Sequence, residues 1–180
     1  QKQLSDSLGI DSNELAQRSD ALKESNPMMG HRGVRLGITH PEITEMQAWS
    51  ILEAAAELTS EGVETYPEIM VPLTGMSTEY NHQEKIIRDV ASKIDNLGNY
   101  MVGTMIEIPR AIIIADKIAE KAEFFSFGTN DLTQMTFGFS RDDTGGFMPS
   151  YLEQGLLPED PFASLDEGVC ELVRMGIEKG

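Results

Sequence analysis

A single cysteine, Cys170, leaves nothing from which an internal disulfide framework could be built, and fits a reducing compartment. Positive charge is scarce: 14 Lys and Arg stand against 30 Asp and Glu, for a formal net charge of −16. So acidic a chain makes poor partners of nucleic acid and anionic membrane surfaces. Acidity alone describes a solvated exterior and names no cation site. No uninterrupted apolar run reaches bilayer-spanning length, and the opening Gln1-Lys2-Gln3-Leu4-Ser5 lacks a signal-peptide pattern. The histidines, His31, His40 and His82, are scattered without metal-ligand spacing and suit surface or capping positions. Cys170 falls on the inward stripe of a helix as a small buried hydrophobe, and the methionines read as core filler.

What remains is an ordinary globular composition in a chain of one-domain length, 180 residues with 40% hydrophobic side chains. With no initiator Met and an end at Glu178-Lys179-Gly180, it reads as a fragment. A polar helix is expected from about Asp11 to Ser25, capped by Asp11 or Ser12 and broken by Asn26-Pro27. Thereafter strands and helices alternate. A helix follows Thr39 and Glu42, which have capping-box spacing, with Ala48, Ile51, Leu52, Ala55 and Leu58 inward. A nearly continuous apolar strand, Glu68–Leu73, leads to a helix capped by Ser77 or Thr78, with Ile86, Ile87, Val90, Ala91, Ile94 and Leu97 buried. Strand Tyr100–Ile106, a helix from Pro109 (Ala111, Ile114, Ala115, Ile118 and Ala119 inward) and strand Glu123–Phe127 come next. An irregular stretch, Phe137–Phe162, precedes a final helix capped by Ser164 and Glu167, with Leu165, Val169, Leu172, Val173 and Gly176 apolar. Such alternation predicts an α/β fold with a parallel sheet and right-handed crossovers. A doubly wound sheet and part of a barrel both satisfy it, a full barrel needing roughly 250 residues.

Chemistry concentrates where two strands end. Phe124-Phe125-Ser126-Phe127 breaks at Gly128 and at once presents Thr129, Asn130 and Asp131; Met101–Ile106 ends at Glu107, before Ile108-Pro109-Arg110. Acidic groups at neighbouring strand ends can share a Mg²⁺ ion, which takes one or two carboxylates and keeps its other positions for water and substrate oxygens. Each acid could instead cap the next helix. Gly128, Thr129 and Asn130 could offer backbone N–H groups to an anion, or form a strand-ending turn with Asn130 left-handed. Arg32, flanked by Gly30 and Gly33, could reach into a crevice and pair with a phosphate or carboxylate. Arg35 competes for that role but suits a surface ion pair, and Arg110 would rim the same mouth or pair with an acid.

Taken in order, Asn26 through Leu36, Pro67-Glu68-Ile69-Met70-Val71-Pro72-Leu73, Gly103-Thr104-Met105-Ile106-Glu107-Ile108-Pro109-Arg110-Ala111, and Phe124 through Asp143 resemble the pyruvate, phosphate dikinase family. Phosphoenolpyruvate synthase and the first enzyme of the sugar phosphotransferase system share Asn-Asp-Leu-Thr-Gln but diverge around it. The resemblance implies an incomplete TIM-type β/α barrel lacking its first and last strands, with residues 1–29 as a helical lead-in and 30–180 as βα units. It implies phosphoryl transfer between a phosphohistidine and pyruvate enolate, within the conversion of ATP, pyruvate and phosphate to AMP, phosphoenolpyruvate and pyrophosphate. The positions matching Glu107 and Asp131 hold Mg²⁺ in that family. Those matching Gly128, Thr129, Asn130 and Asp131 contact substrate, and the one matching Arg32 binds its anionic end. Partners implied are pyruvate or phosphoenolpyruvate, the phosphohistidine domain of the full-length chain and a second copy in a homodimer, in the cytoplasm or, for a plant protein, a plastid. Further substrate arginines belong before Gln1 and the proton-donor Cys motif after Gly180, so the isolated chain is expected to have no dikinase activity. A stand-alone binding or dimerisation module is the reading from another class.

Overall fold

The computed structural model describes residue 9, residues 11–21 and residues 27–180, and the chain divides after His31 into two units. In the first, helix α1 covers Ser12–Ala21. Its expected cap is Asp11, whose carboxylate accepts from the Asn13 and Glu14 N–H groups at 2.9 and 3.3 Å. Residues 22–25, expected to finish this helix, lie outside the described residues, and a 3₁₀ turn spans Pro27–Met29.

The second unit, Arg32–Gly180, is built on a parallel sheet in the order β1 (Glu68–Val71), β2 (Met101–Ile106), β3 (Phe125–Phe127). The α/β class and parallel sheet are those expected. Helices α2 (Val34–Thr39) and α3 (Pro41–Ser60) precede β1, and α4 (Ser77–Ala91) joins β1 to β2. Between β2 and β3 the single expected helix is two short ones, α5 (Pro109–Ile113) and α6 (Ala115–Ala119). Ile114, at φ −111°, breaks them apart while Ala111, Ile112, Ala115 and Ile118 stay buried. Helix α7 is Thr129–Phe137; the stretch expected to be irregular holds a 3₁₀ turn (Thr144–Gly146) and α8 (Met148–Glu153), and α9 is Glu167–Lys179. Stacked and edge-on contacts among Phe137, Phe139, Phe147 and Tyr151 order that stretch.

Central β2 carries the core. Val102, Thr104 and Ile106 are fully buried, and Tyr80, buried on α4, donates its hydroxyl to the Val102 carbonyl at 2.9 Å. Strand β1, expected to be covered on both faces, pairs only with β2 among the described residues and leaves Glu68 and Met70 exposed. The inward stripes shift in the same way. Helix α3 buries Ala48, Leu52, Ala55 and Ala56 but exposes Ile51 and Leu58, and α4 buries Tyr80 and Gln83 beside Ile87, Val90 and Ala91. Ile94 and Leu97 pack on the core from beyond the end of α4. Leu165 is exposed and Cys170 only half-buried, contrary to the inward placement expected, while Val169 and Gly176 are buried. Of the methionines, Met148 is core; Met29, Met46, Met70, Met76, Met101 and Met175 are exposed.

Helix starts differ systematically from the expected hydroxyl caps. Thr39 ends α2, its hydroxyl donating back to the Arg35 carbonyl at 3.1 Å, and α3 starts after His40. At α4 the Glu79 carboxylate accepts from the Gly75 and Met76 N–H groups at 2.9 and 3.0 Å, with Ser77 already helical. At α9 the cap is Asp166, accepting from Gly168 and Val169, not Ser164. A carboxylate adds charge–dipole attraction to the hydrogen bond a hydroxyl would supply.

Candidate active site

Register brings the chemistry together. Thr104, Met105 and Ile106 of β2 pair with Phe125, Ser126 and Phe127 of β3, so Glu107 and Gly128 are the next residues on adjacent parallel strands. The Gly128 N–H donates to the Ile106 carbonyl at 3.1 Å and extends that pairing one step. A Cβ on Gly128 would lie 2.5 Å from Glu107 Oε2 and 2.6 Å from Met105 Sδ. Only glycine lets β3 end against that carboxylate. Asp131 follows in the first turn of α7, and Glu107 and Asp131 are 5% and 8% exposed. Buried carboxylates so close need partners or a cation.

Each acid has its own support. The Leu73 N–H donates to Glu107 Oε1 at 2.6 Å. Leu73 sits in the left-handed region at φ 58°, a conformation that costs energy for a branched side chain and aims its N–H at the acid. Gly33, itself at φ 56°, lies against Leu73, and the Val34 N–H holds the Pro72 carbonyl at 3.0 Å. Asp131 pairs with Arg32 through Oδ2, and its Oδ1 accepts from Gln134 Nε2 at 3.2 Å. Burial pushes the Glu107 carboxyl above its ordinary value; the charge of Asp131 and a hydrogen bond with it push the same way, while the Leu73 N–H and Arg32 pull back. The charge of Asp131 thus acts on Glu107, and a positive charge between them would relieve both.

The expected site residues Arg32, Glu107, Gly128 and Asp131 thus converge. Arg32 keeps a buried Nε with no hydrogen-bond partner among the described residues, beside the Asp131 pair, a donor for an anionic ligand. Thr129 and Asn130 are exposed at the start of α7, whose first-turn N–H groups have no intrahelical acceptor. Asn130 is helical rather than left-handed, and its Oδ1 accepts from Arg141 Nη1 at 3.0 Å. Arg110 makes no ion pair with an acid among the described residues and donates to the Gly75 carbonyl. The histidines are all exposed, as expected. Among the described residues no cluster of three or more potential metal ligands occurs, and the carboxylate pair is the protein share that Mg²⁺ ordinarily takes. A groove of about 350 Å³ beneath α2, α3 and β1 includes neither carboxylate; its walls are mostly apolar, and it offers no charge complement to a small anion.

Leu73, Gln134 and Arg141 are the site residues that sequence reasoning missed. Gln134 carried a signal, standing one helical turn after Asp131. Leu73 carried none, since nothing in its side chain announces a positive φ.

Comparison with known proteins identifies the family of the chain. The family described as "PEP-utilising enzyme, PEP-binding domain" matches residues 3–179. The chain is 55% identical over 184 residues to "Pyruvate, phosphate dikinase 1, chloroplastic" of Oryza sativa subsp. japonica, covering 99% of this chain and 19% of that protein. It is 56% identical over 183 residues to the Arabidopsis thaliana protein of the same description, with 99% and 19% covered. "Pyruvate, phosphate dikinase 2" of Zea mays is 55% identical over 184 residues, with 99% and 21% covered. The chain spans about a fifth of the length of these relatives.

Proposed function

The chain belongs to the PEP-utilising enzyme family through its PEP-binding domain, and from that premise we propose that it forms the pyruvate- and phosphoenolpyruvate-binding part of a pyruvate, phosphate dikinase. The carrying observation is the convergence of Glu107 and Asp131 at the ends of adjacent parallel strands, with the unpartnered Nε of Arg32 beside them.

Glu107 and Asp131 would hold Mg²⁺. Bound there, the ion supplies Lewis-acid stabilisation to negative charge developing on the enolate oxygen of pyruvate. The protein's own part is positioning and charge. Arg32 donates to the anionic end of the substrate, fixing it in the plane of its guanidinium. Gly128 has no side chain to keep the substrate away from Glu107, and the first-turn N–H groups of α7 face developing negative charge. The enolate oxygen bonds to the phosphoryl phosphorus as the phosphohistidine P–N bond breaks, the histidine coming from another part of the full-length protein. In the reverse direction phosphoenolpyruvate returns the phosphoryl group.

The parallel βα order supports a segment of a TIM-type barrel, with neighbouring strands supplied by the longer protein; the assembled state would be a homodimer. The rice and Arabidopsis relatives are named chloroplastic, which supports a plastid setting, with the cytoplasm as the alternative. No helix among the described residues is long and apolar enough to cross a membrane.

Calorimetry of the full-length protein with Mg²⁺ and oxalate, a flat mimic of the enolate, tests the reading. Binding that disappears in both Glu107→Gln and Asp131→Asn is expected. Oxalate binding that needs neither carboxylate would overturn it.

A further inference from the structure

Beyond the groups that meet metal or substrate, we infer that Gln134 is the positioning residue that fixes the rotation of the Asp131 carboxylate. The inference rests on the proposed function above.

Gln134 is 6% exposed and both ends of its amide are engaged. Nε2 donates to Asp131 Oδ1 at 3.2 Å, and Oε1 accepts from the Arg141 N–H at 2.8 Å. These partners dictate the amide's orientation. Flipped, it would set an oxygen against a carboxylate and an NH₂ against an N–H, losing both bonds and adding two repulsions. A donor is therefore always presented to Oδ1, while Arg32 takes Oδ2. With one hydrogen bond on each oxygen, the carboxylate cannot turn about its Cβ–Cγ bond without breaking one.

The chain path maintains this arrangement. Helix α7 ends at Gly138 in the left-handed region, φ 68°, and the Phe139 N–H bonds the Gln134 carbonyl at 3.1 Å, turning the chain back along the helix. Arg141 thereby returns beside the first turns of α7, its main chain on Gln134 and its guanidinium on Asn130. Gln134 is thus clamped from a loop that touches neither carboxylate. Such outer partners typically set ligand orientation, and their loss lowers metal affinity by about 10–100-fold.

The experiment uses the full-length protein, with Mn²⁺ as the probe in the presence of oxalate, followed by calorimetry and by electron paramagnetic resonance. Gln134→Met keeps the side chain's length and removes its donor. It should weaken Mn²⁺ binding at least about tenfold and change the zero-field splitting of the Mn²⁺ signal, because the Asp131 carboxylate is free to rotate. Should Gln134→Met fail to fold, Gln134→Glu, which still accepts from the Arg141 N–H, is read against the same criteria. An affinity within about twofold of wild type with an unchanged spectrum would overturn the positioning role and leave the proposed function standing. Absence of Mn²⁺ binding in the wild-type protein would instead remove the proposed function, and this inference with it.

Discussion

Two acids one strand apart are held in opposite ways. Glu107, at the end of β2, is gripped by a main-chain donor on a strained residue and is pushed toward its neutral form by burial. Asp131, at the start of α7, is gripped by side chains, a guanidinium on one oxygen and an amide on the other. The contrast shows a division of labour. A buried acid supported mainly by a neutral N–H has charge to share with an incoming cation, whereas an acid already matched by arginine contributes orientation. Substitutions at the two stations should therefore not be equivalent.

The largest effect is expected at Glu107. Glu107→Gln keeps the Leu73 contact and removes the charge, so turnover by the full-length enzyme should fall at least about a hundredfold, the worth of several kcal/mol of charge stabilisation. Steady-state kinetics with saturating Mg²⁺ checks this. Asp131→Asn should lower turnover less in the same assay, because Arg32 is released to meet the substrate directly. A larger loss for Asp131→Asn than for Glu107→Gln would break the proposed division.

Glycine substitutions sharpen the comparison by separating packing from chemistry. A Cβ at Gly128 meets the Glu107 carboxylate, while one at Gly103, mid-strand in β2, meets the Phe124 carbonyl at 2.4 Å. Each Ala variant should lose about 1–3 kcal/mol in denaturant unfolding. Only Gly128→Ala should also lose Mg²⁺–oxalate binding, as calorimetry would show.

The smallest effect is in pH. Because Glu107 is raised in the folded state, its contribution to stability is fully present below the ordinary carboxyl value of 4.5 and is lost as pH climbs through the higher folded value. Metal-free protein should therefore lose stability across that window relative to Glu107→Gln, whose profile is flatter there. Mg²⁺ binding should tighten over the same window, since the ligating carboxylate must be ionised. Urea midpoints at stepped pH measure the first trend and titration calorimetry the second.

Much of this is legible in the sequence. An apolar strand halted by glycine and followed by Thr-Asn-Asp, and another ending in Glu, mark a site at the carboxyl ends of strands, and both acids converge there. Periodicity located α3, α4, α9 and the segment holding α5 and α6, but not α2, α7 or α8. Caps followed only in part: Asp11 holds its expected place, but at α4 and α9 Glu79 and Asp166 displace nearby hydroxyls, because only local backbone geometry decides which side chain reaches the free N–H groups. Burial of β1 was overestimated, since an apolar run shows that a strand can be covered and not that it is.

The residue types and their spacing alone determined the α/β order, the acidic pair, Arg32 and the glycine that admits them to one another. Tertiary structure alone decided how the acids are held: Leu73 in a left-handed turn, Gln134 locked by Arg141, an arginine nitrogen left over for a ligand. Sequence periodicity encodes which face a side chain occupies. Hydrogen bonds between residues 34 and 99 positions apart depend on strand register and chain reversal, which only the folded chain fixes.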